Sequence, residues 1–346
     1  MNSPDLHERI ALSAREARTV ALARQLAQEL APGAAKHDRD GRFPHAHYRR
    51  LHEAGYLRLA LPREHGGEGA TLFEMVLAQE QLAQGDAATA IGVGMLLNVL
   101  GRQAEEPTWP EPVFAEVCRT IAREGGLINN VVTEPDLGSI SRGGVPATTA
   151  TRVPGGWAVT GHKIFVTAAP ALRYLLTAVH LPPHAGAPQG EVAKALVEAP
   201  AAGLRFEATW SDALSQRSGG SDDAHLERVF VPDERLVERS PLAGPGAPGA
   251  STAPPVNGWW LGLVAVYLGI AQASLDAACD YARERVPSAL GQPIATLPHA
   301  AHAASSGAPR RTATRAPSAH RPASARATVA RSGRTWARSS PRPSRG

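Results

Sequence analysis

Cysteine, lysine and late acidic residues are what this 346-residue chain has least of. Two cysteines, Cys118 and Cys279, are too few for a disulfide framework and fit a reducing, cytoplasmic setting. Only Lys36, Lys163 and Lys194 are lysines among 36 basic residues, an arginine bias typical of GC-rich coding DNA. The last acidic residue is Glu284, and residues 301–346 hold ten Arg with no Lys, Asp or Glu. Without those ten charges a net +4 becomes −6, so the basic character belongs to the tail, and no nucleic-acid partner is expected for the body. The first residues carry neither a basic segment nor an apolar run, so no signal peptide is expected. The longest apolar run, Trp259 to Ala271, has 13 residues against the roughly 20 that span a bilayer. A buried helix, with no membrane partner, is the expectation.

What is there is periodicity. Apolar residues at helical spacing predict a helix over 5–30, stopped by Pro32-Gly33. Further helices are predicted over about 44–53, 71–84 (Thr71 and Glu74 as a capping box), 86–100 (Asp86 as cap) and 111–123. Gly125-Gly126 marks a change of period. Short β-like runs follow at Leu127–Thr133, Thr148–Arg152, Trp157–Thr160, Lys163–Thr167, Tyr174–His180, Ala193–Glu198 and Leu226–Val231, which suggests an antiparallel barrel or sandwich. A Pro/Gly/Ala linker leads to a long helix over about 257–286. The fold class is thus α+β multidomain. An N-terminal helical domain (1–125) is followed by a middle β domain (126–240), a linker (241–256), the start of a C-terminal helical bundle (257–298), and an Arg/Ala/Pro/Ser tail (299–346). The tail has too little apolar surface to offset ordering entropy, so disorder is expected there.

Residues 129–167 carry the chemistry. A polar turn rich in backbone donors, Asn129 to Ser139, precedes β-alternating sequence that ends on an aromatic and a hydroxyl, Phe165 and Thr167. This suits a flat, polar-edged heterocycle lying against a sheet. Val132-Thr-Glu-Pro-Asp-Leu-Gly-Ser139 and Gly161-His-Lys-Ile-Phe-Val-Thr167 resemble the flavin-binding signatures of the acyl-CoA dehydrogenase family. Leu61-Pro-Arg-Glu-His-Gly-Gly-Glu-Gly69, Phe230-Val-Pro-Asp-Glu-Arg-Leu236 and Tyr281-Ala-Arg-Glu-Arg285 are similar to further segments of that family, in the same order. The resemblance implies FAD as cofactor. Val132 and Thr133 would face its pyrimidine edge, Ser139 its diphosphate and Thr167 its N5. Phe165 would pack on the ring system, and Arg285 would reach the diphosphate of a neighbouring subunit, since a guanidinium fork suits phosphate oxygens. It also implies an acyl-CoA-like substrate in fatty acid metabolism, electron-transfer flavoprotein as acceptor, and a homo-oligomer.

The sequence departs from the family where the α-proton base should lie. Late in the bundle the matching region falls in the tail, which has no carboxylate. The alternative position, Pro255-Val-Asn-Gly-Trp-Trp260, has none either. No catalytic residue is assigned, and a flavin monooxygenase on the same fold or a non-catalytic remnant stay open. The tail reads like GC-rich DNA in a wrong frame after about residue 298; a basic tail for acidic partners is the rival reading. Other signals imply no metal or phosphate loop. His45-x-His47 with His52 lacks a fourth ligand, Gly66-Gly-Glu-Gly69 lacks Lys-Ser/Thr, and Gly92-Val-Gly94 lacks a third glycine. Glu134-Pro135 reads as a structural turn rather than an acid catalyst.

Overall fold

The computed structural model describes residues 12–137, 144–242 and 258–298. The expectations for the tail, for Ser139 and for the linker lie outside the described residues.

Five helices come first: α1 (Ala14–Asp40), α2 (His45–Glu53), α3 (Leu72–Gly85), α4 (Ala87–Glu105) and α5 (Glu111–Glu124). Side-chain caps set the starts of α1, α3 and α4. Ser13 and Glu16 form a reciprocal capping box on α1, Thr71 and Glu74 another on α3, and the Asp86 carboxylate accepts from the Thr89 amide at the head of α4. Gly125, in the left-handed conformation, ends α5. Leu26, Leu51, Leu57, Leu82, Leu96, Leu97 and Leu100 are fully buried between these helices. Each such burial contributes roughly 1.5–3 kcal/mol.

Pro32 does not stop α1. The helix runs to Asp40 and ends at Gly41. Pro32 and Gln28, whose carbonyl it frees, are both exposed, on the solvent side of the helix where such a loss costs least. The extra turns are held from outside: Asp38 accepts from the Arg217 amide at 2.9 Å, and His37 packs edge-on against His47.

Eight strands form one curled sheet: β1 (Leu127–Val131), β2 (Thr149–Val153), β3 (Gly156–Val166), β4 (Leu172–Leu181), β5 (Glu191–Glu198), β6 (Leu204–Glu207), β7 (Asp222–Pro232) and β8 (Leu236–Pro241). Their order is β6-β7-β3-β2-β4-β5-β8, with β1 on β4. The sheet is mixed rather than purely antiparallel, because β1 and β2 both pair parallel with β4. The two runs expected around Gly161 are one strand; Gly161 pairs with Leu226 and the ladder continues through it.

The last helix, α6 (Leu261–Glu284), follows a short turn, Gly258–Trp260. It packs on α3 and α4 through Gly262, Ala265, Val266 and Gly269, one face at helical spacing. The approach is close. A Cβ on Gly269 would lie 2.3 Å from the Glu80 carbonyl, and one on Gly101 would lie 2.3 Å from the Trp259 ring. The expectation of a buried helix fails for the opposite face, where Leu261, Val264, Tyr267 and Leu268 are exposed. The apolar count fails too: Gly258–Glu284, 27 residues, is long and apolar enough to cross a membrane by length and composition. Counting an unbroken apolar run missed this because Gln, Ser and Asp interrupt a stretch whose mean remains apolar.

Candidate functional site

The ends of β1 and β3 meet. The Thr133 carbonyl accepts from the Ile164 amide at 3.0 Å, and the Asn129 side-chain amide donates to the Thr167 carbonyl at 3.1 Å. Val132 and Thr133, just past β1, are half-buried. The Thr167 hydroxyl lies 3.0 Å from that of Ser221, just before β7. The Ala168 and Ala169 amides donate to the carbonyls of Gly219 and Gly220, so the 216–221 loop is tied to the end of β3. Of the residues proposed from sequence, Val132, Thr133, Phe165 and Thr167 are therefore brought to one edge of the sheet. Arg285 is exposed just beyond α6, and its carbonyl accepts from the Ile294 amide.

Phe165 shows what parity alone cannot give. Lys163 and Phe165 are two apart, and a regular strand would place both on one face. Instead the register slips between Lys163 and Val166, and Phe165 has φ 57°. This bulge turns the ring outward, to 56% exposure, while Lys163 stays fully buried. A bulky residue at positive φ is a strained conformation held by its surroundings. The Phe165 ring meets Trp210 edge-on at 5.8 Å, and the Trp210 indole N–H donates to the Gln216 carbonyl at 2.8 Å. Trp210 and Ser221 were not assigned from sequence. The only hint was the Gly219-Gly220-Ser221 turn before a strand.

Behind this edge lies a buried polar scaffold. The Lys163 ammonium donates to Glu134 Oε1 at 2.6 Å. The same carboxylate accepts from the Thr148 hydroxyl at 2.6 Å and the Thr148 and Ala147 amides at 3.0 and 2.7 Å. Burial pushes the Glu134 carboxyl up, but these donors outweigh it and hold it below the usual carboxylate range. Burial pulls the Lys163 ammonium down, with Glu134 opposing. With every Glu134 contact directed inward, the geometry fits the reading of a structural turn. On β1, Asn129 faces Thr167, while Asn130 accepts from the Lys194 ammonium at 2.6 Å. Burial lowers Lys194 to about 7; Lys163 and Arg102 repel its charge, and Glu238 attracts it. Glu238 accepts from the Trp109 indole at 3.0 Å, Gln103 at 3.0 Å and Arg102, which ties β8 to the helices.

The histidines weighed as metal ligands do not converge. His47 is buried and bonds Asp86 at 2.7 Å, while His52 bonds the Ala122 carbonyl at 3.0 Å. A cleft of about 280 Å³ elsewhere is lined by Arg15, Arg18, Arg58 and Arg63, and is separate from the β1–β3 edge.

The family profile "Acyl-CoA dehydrogenase, N-terminal domain" matches residues 14–105. YdbM of Bacillus subtilis (strain 168), an acyl-CoA dehydrogenase by assignment, is 39% identical over 274 residues, which span 79% of this chain and 68% of that protein. The solved butyryl-CoA dehydrogenase of Megasphaera elsdenii superposes with TM-score 0.71 at 21% identity, over 86% of this chain and 76% of that one. The methanesulfinate monooxygenase of Pseudomonas fluorescens does so with TM-score 0.66 at 21% identity, over 84% and 70%. Likeness at that level of identity shows the fold, whereas the YdbM match extends across the helices, the sheet and α6. The chain belongs to the acyl-CoA dehydrogenase family of flavoproteins.

Proposed function

We propose that this chain holds FAD at the β1–β3 edge and serves an oxidoreductase that desaturates an acyl-CoA thioester at Cα–Cβ. The outward-turned Phe165 beside the Thr167–Ser221 hydroxyl pair carries this reading. An aromatic face next to fixed hydroxyls fits a flat ring with a polar edge. When bound, the flavin supplies hydride acceptance from the substrate β-carbon. Thr167 donates toward the ring edge, and Ser221 fixes its rotamer. Thr133 and the Val132 backbone supply further donors where negative charge collects. Phe165 and Trp210 exclude water from one face. Ser139 and, from a neighbouring copy, Arg285 bind the diphosphate. An electron-transfer flavoprotein takes the electrons onward, in the cytoplasm.

The α-proton base is not assigned. Among the described residues of α6, Asp276 and Asp280 are exposed and hydrogen-bonded to Gln272 and Arg283. This makes a second reading worth testing, because the methanesulfinate monooxygenase shares the fold. A flavin monooxygenase on this fold needs no such base. One experiment separates the readings: anaerobic titration of the flavin-loaded chain with a panel of acyl-CoA thioesters, then exposure to oxygen. Bleaching by a thioester with slow reoxidation is the expected outcome. No bleaching, with fast oxygen consumption by the chemically reduced protein, favours the monooxygenase. A chain that retains no flavin overturns both.

A further inference from the structure

One face of the sheet carries a cluster that the flavin edge does not use. His162 lies on β3, Asp223 and His225 on β7, and Glu207 on β6. His162 stands opposite His225 in the β3–β7 ladder, and Glu207 opposite Asp223 in the β6–β7 ladder. The four side chains therefore share one face on three neighbouring strands. His162 Nε2 lies 2.7 Å from Asp223 Oδ2, and His225 Nε2 lies 3.0 Å from Glu207 Oε2. One ligand atom each from His162, Asp223 and His225 falls within a 4.8 Å set. The two imidazoles stack at 4.2 Å with planes 17° apart.

We propose that this cluster is a divalent transition-metal site, with His162, Asp223 and His225 as ligands and Glu207 as the fourth. The donor set is two imidazoles and two carboxylates, which suits Zn²⁺, Ni²⁺ or Co²⁺ and not the six to eight oxygens that Ca²⁺ takes. One divalent ion takes the place of the contacts that pair each Nε2 with its carboxylate, each ring then binding as the neutral imidazole with its proton on Nδ1, and it balances both negative charges. The second coordination layer is in place: the Thr209 hydroxyl donates to Asp223 Oδ1 at 2.8 Å, which leaves Oδ2 facing the rings. Arg205 opposes the ion. It stands opposite His225 and donates to Glu207 Oε2 at 3.2 Å, so Glu207 must turn from it on metal binding. The rings must also swing out of their stack to converge, so this site binds less tightly than a structural zinc centre. Its effect is a clamp across β6, β7 and β3. Asp223 lies two residues from Ser221, so the clamp sits beside the Thr167–Ser221 pair without entering it.

The test is Zn²⁺ titration of the untagged, chelator-stripped full chain by calorimetry, with Co²⁺ absorption as the second readout. One ion per chain and a melting temperature that rises with Zn²⁺ are expected. His162→Gln and His225→Ala weaken binding by about 100-fold, and Thr209→Val, which keeps every ligand, by about tenfold. His184→Ala, at an exposed histidine elsewhere, leaves binding unchanged. Absence of saturable binding overturns the proposal. So does binding that survives both His162→Gln and His225→Ala, or that His184→Ala weakens equally. Circular dichroism of each variant identifies any that fail to fold, and for those Thr209→Val decides.

Discussion

The Glu134–Lys163 pair and the outer face of α6 stand in opposite relation to water. The first buries two full charges within the β domain and satisfies them with four donors. The second leaves Leu261, Val264, Tyr267 and Leu268 in solvent on a helix whose other face is tightly docked. The sheet therefore contains what it needs to hold its edge in place. Helix α6 is patterned on two sides, and the described residues cover only one. A buried polar group is tolerated only when every partner is present. An apolar face has no such requirement for its own helix, and records instead that a neighbour is expected.

The comparison breaks most sharply at Lys163. Lys163→Met leaves Glu134 charged, buried and short of its strongest donor, a loss of about 3–5 kcal/mol. Chemical denaturation should show it, and the cost should fall when Glu134 is removed in the same chain. A single substitution that proves silent would mean water reaches this pair.

Lys194 is the next largest, and its sign is opposite. Its folded pKa of about 7 lies below the unfolded value, so the unfolded chain holds more protons between those pH values. Its destabilising contribution is full below pH 7 and is relieved as pH rises toward the unfolded pKa. Wild type should therefore gain stability relative to Lys194→Met as pH rises from 7 to 9, by about 2 kcal/mol. The absolute stability of the variant is the poorer measure, because Asn130 loses its donor. A pH-independent difference would show that Lys194 stays charged.

Gly269→Val sharpens the other side. A side chain there meets the Glu80 carbonyl and the Ala83 side chain, and overpacking of this kind costs about 1–3 kcal/mol. Hydrogen exchange should speed up across α6 while protection in the sheet stays unchanged. Loss of protection in β3 or β7 would show that the two regions are coupled more tightly than their packing suggests.

The same contrast explains what was legible in the sequence. The caps at Thr71 and Asp86 are local chemistry, and they are found where the spacing puts them. Strand β3 reads from sequence as two short runs, and neither their fusion through Gly161 nor the bulge is legible, because the slip that turns Phe165 outward depends on pairing with β7. Ser221 and Trp210 reach the site from a loop more than 40 residues downstream, and nothing near Thr167 announces them. Pro32 misled because a proline on a solvated helix face is tolerable when contacts outside the helix hold its far end. The His162 cluster is hidden for the same reason as Ser221: its members come from three strands, and no single segment of the sequence carries them.

The smallest expected effect lies at the edge itself. Thr167→Val keeps the shape of the side chain and removes its hydroxyl, leaving Ser221 without that neighbour. The hydroxyl pair is only part-buried, so stability should fall by no more than about 1 kcal/mol. Flavin affinity should fall about tenfold, the equivalent of one hydrogen bond. Ser221→Ala should fall between wild type and Thr167→Val, since it frees the rotamer without deleting the donor. Fluorescence quenching of released flavin on rebinding measures all three. If Ser221→Ala matches wild type while Thr167→Val fails, the hydroxyl is held by the bulge at Phe165 and not by its partner just before β7. If both match wild type, the β1–β3 edge does not hold the flavin through this pair, and the proposed placement of the ring against Phe165 fails with it.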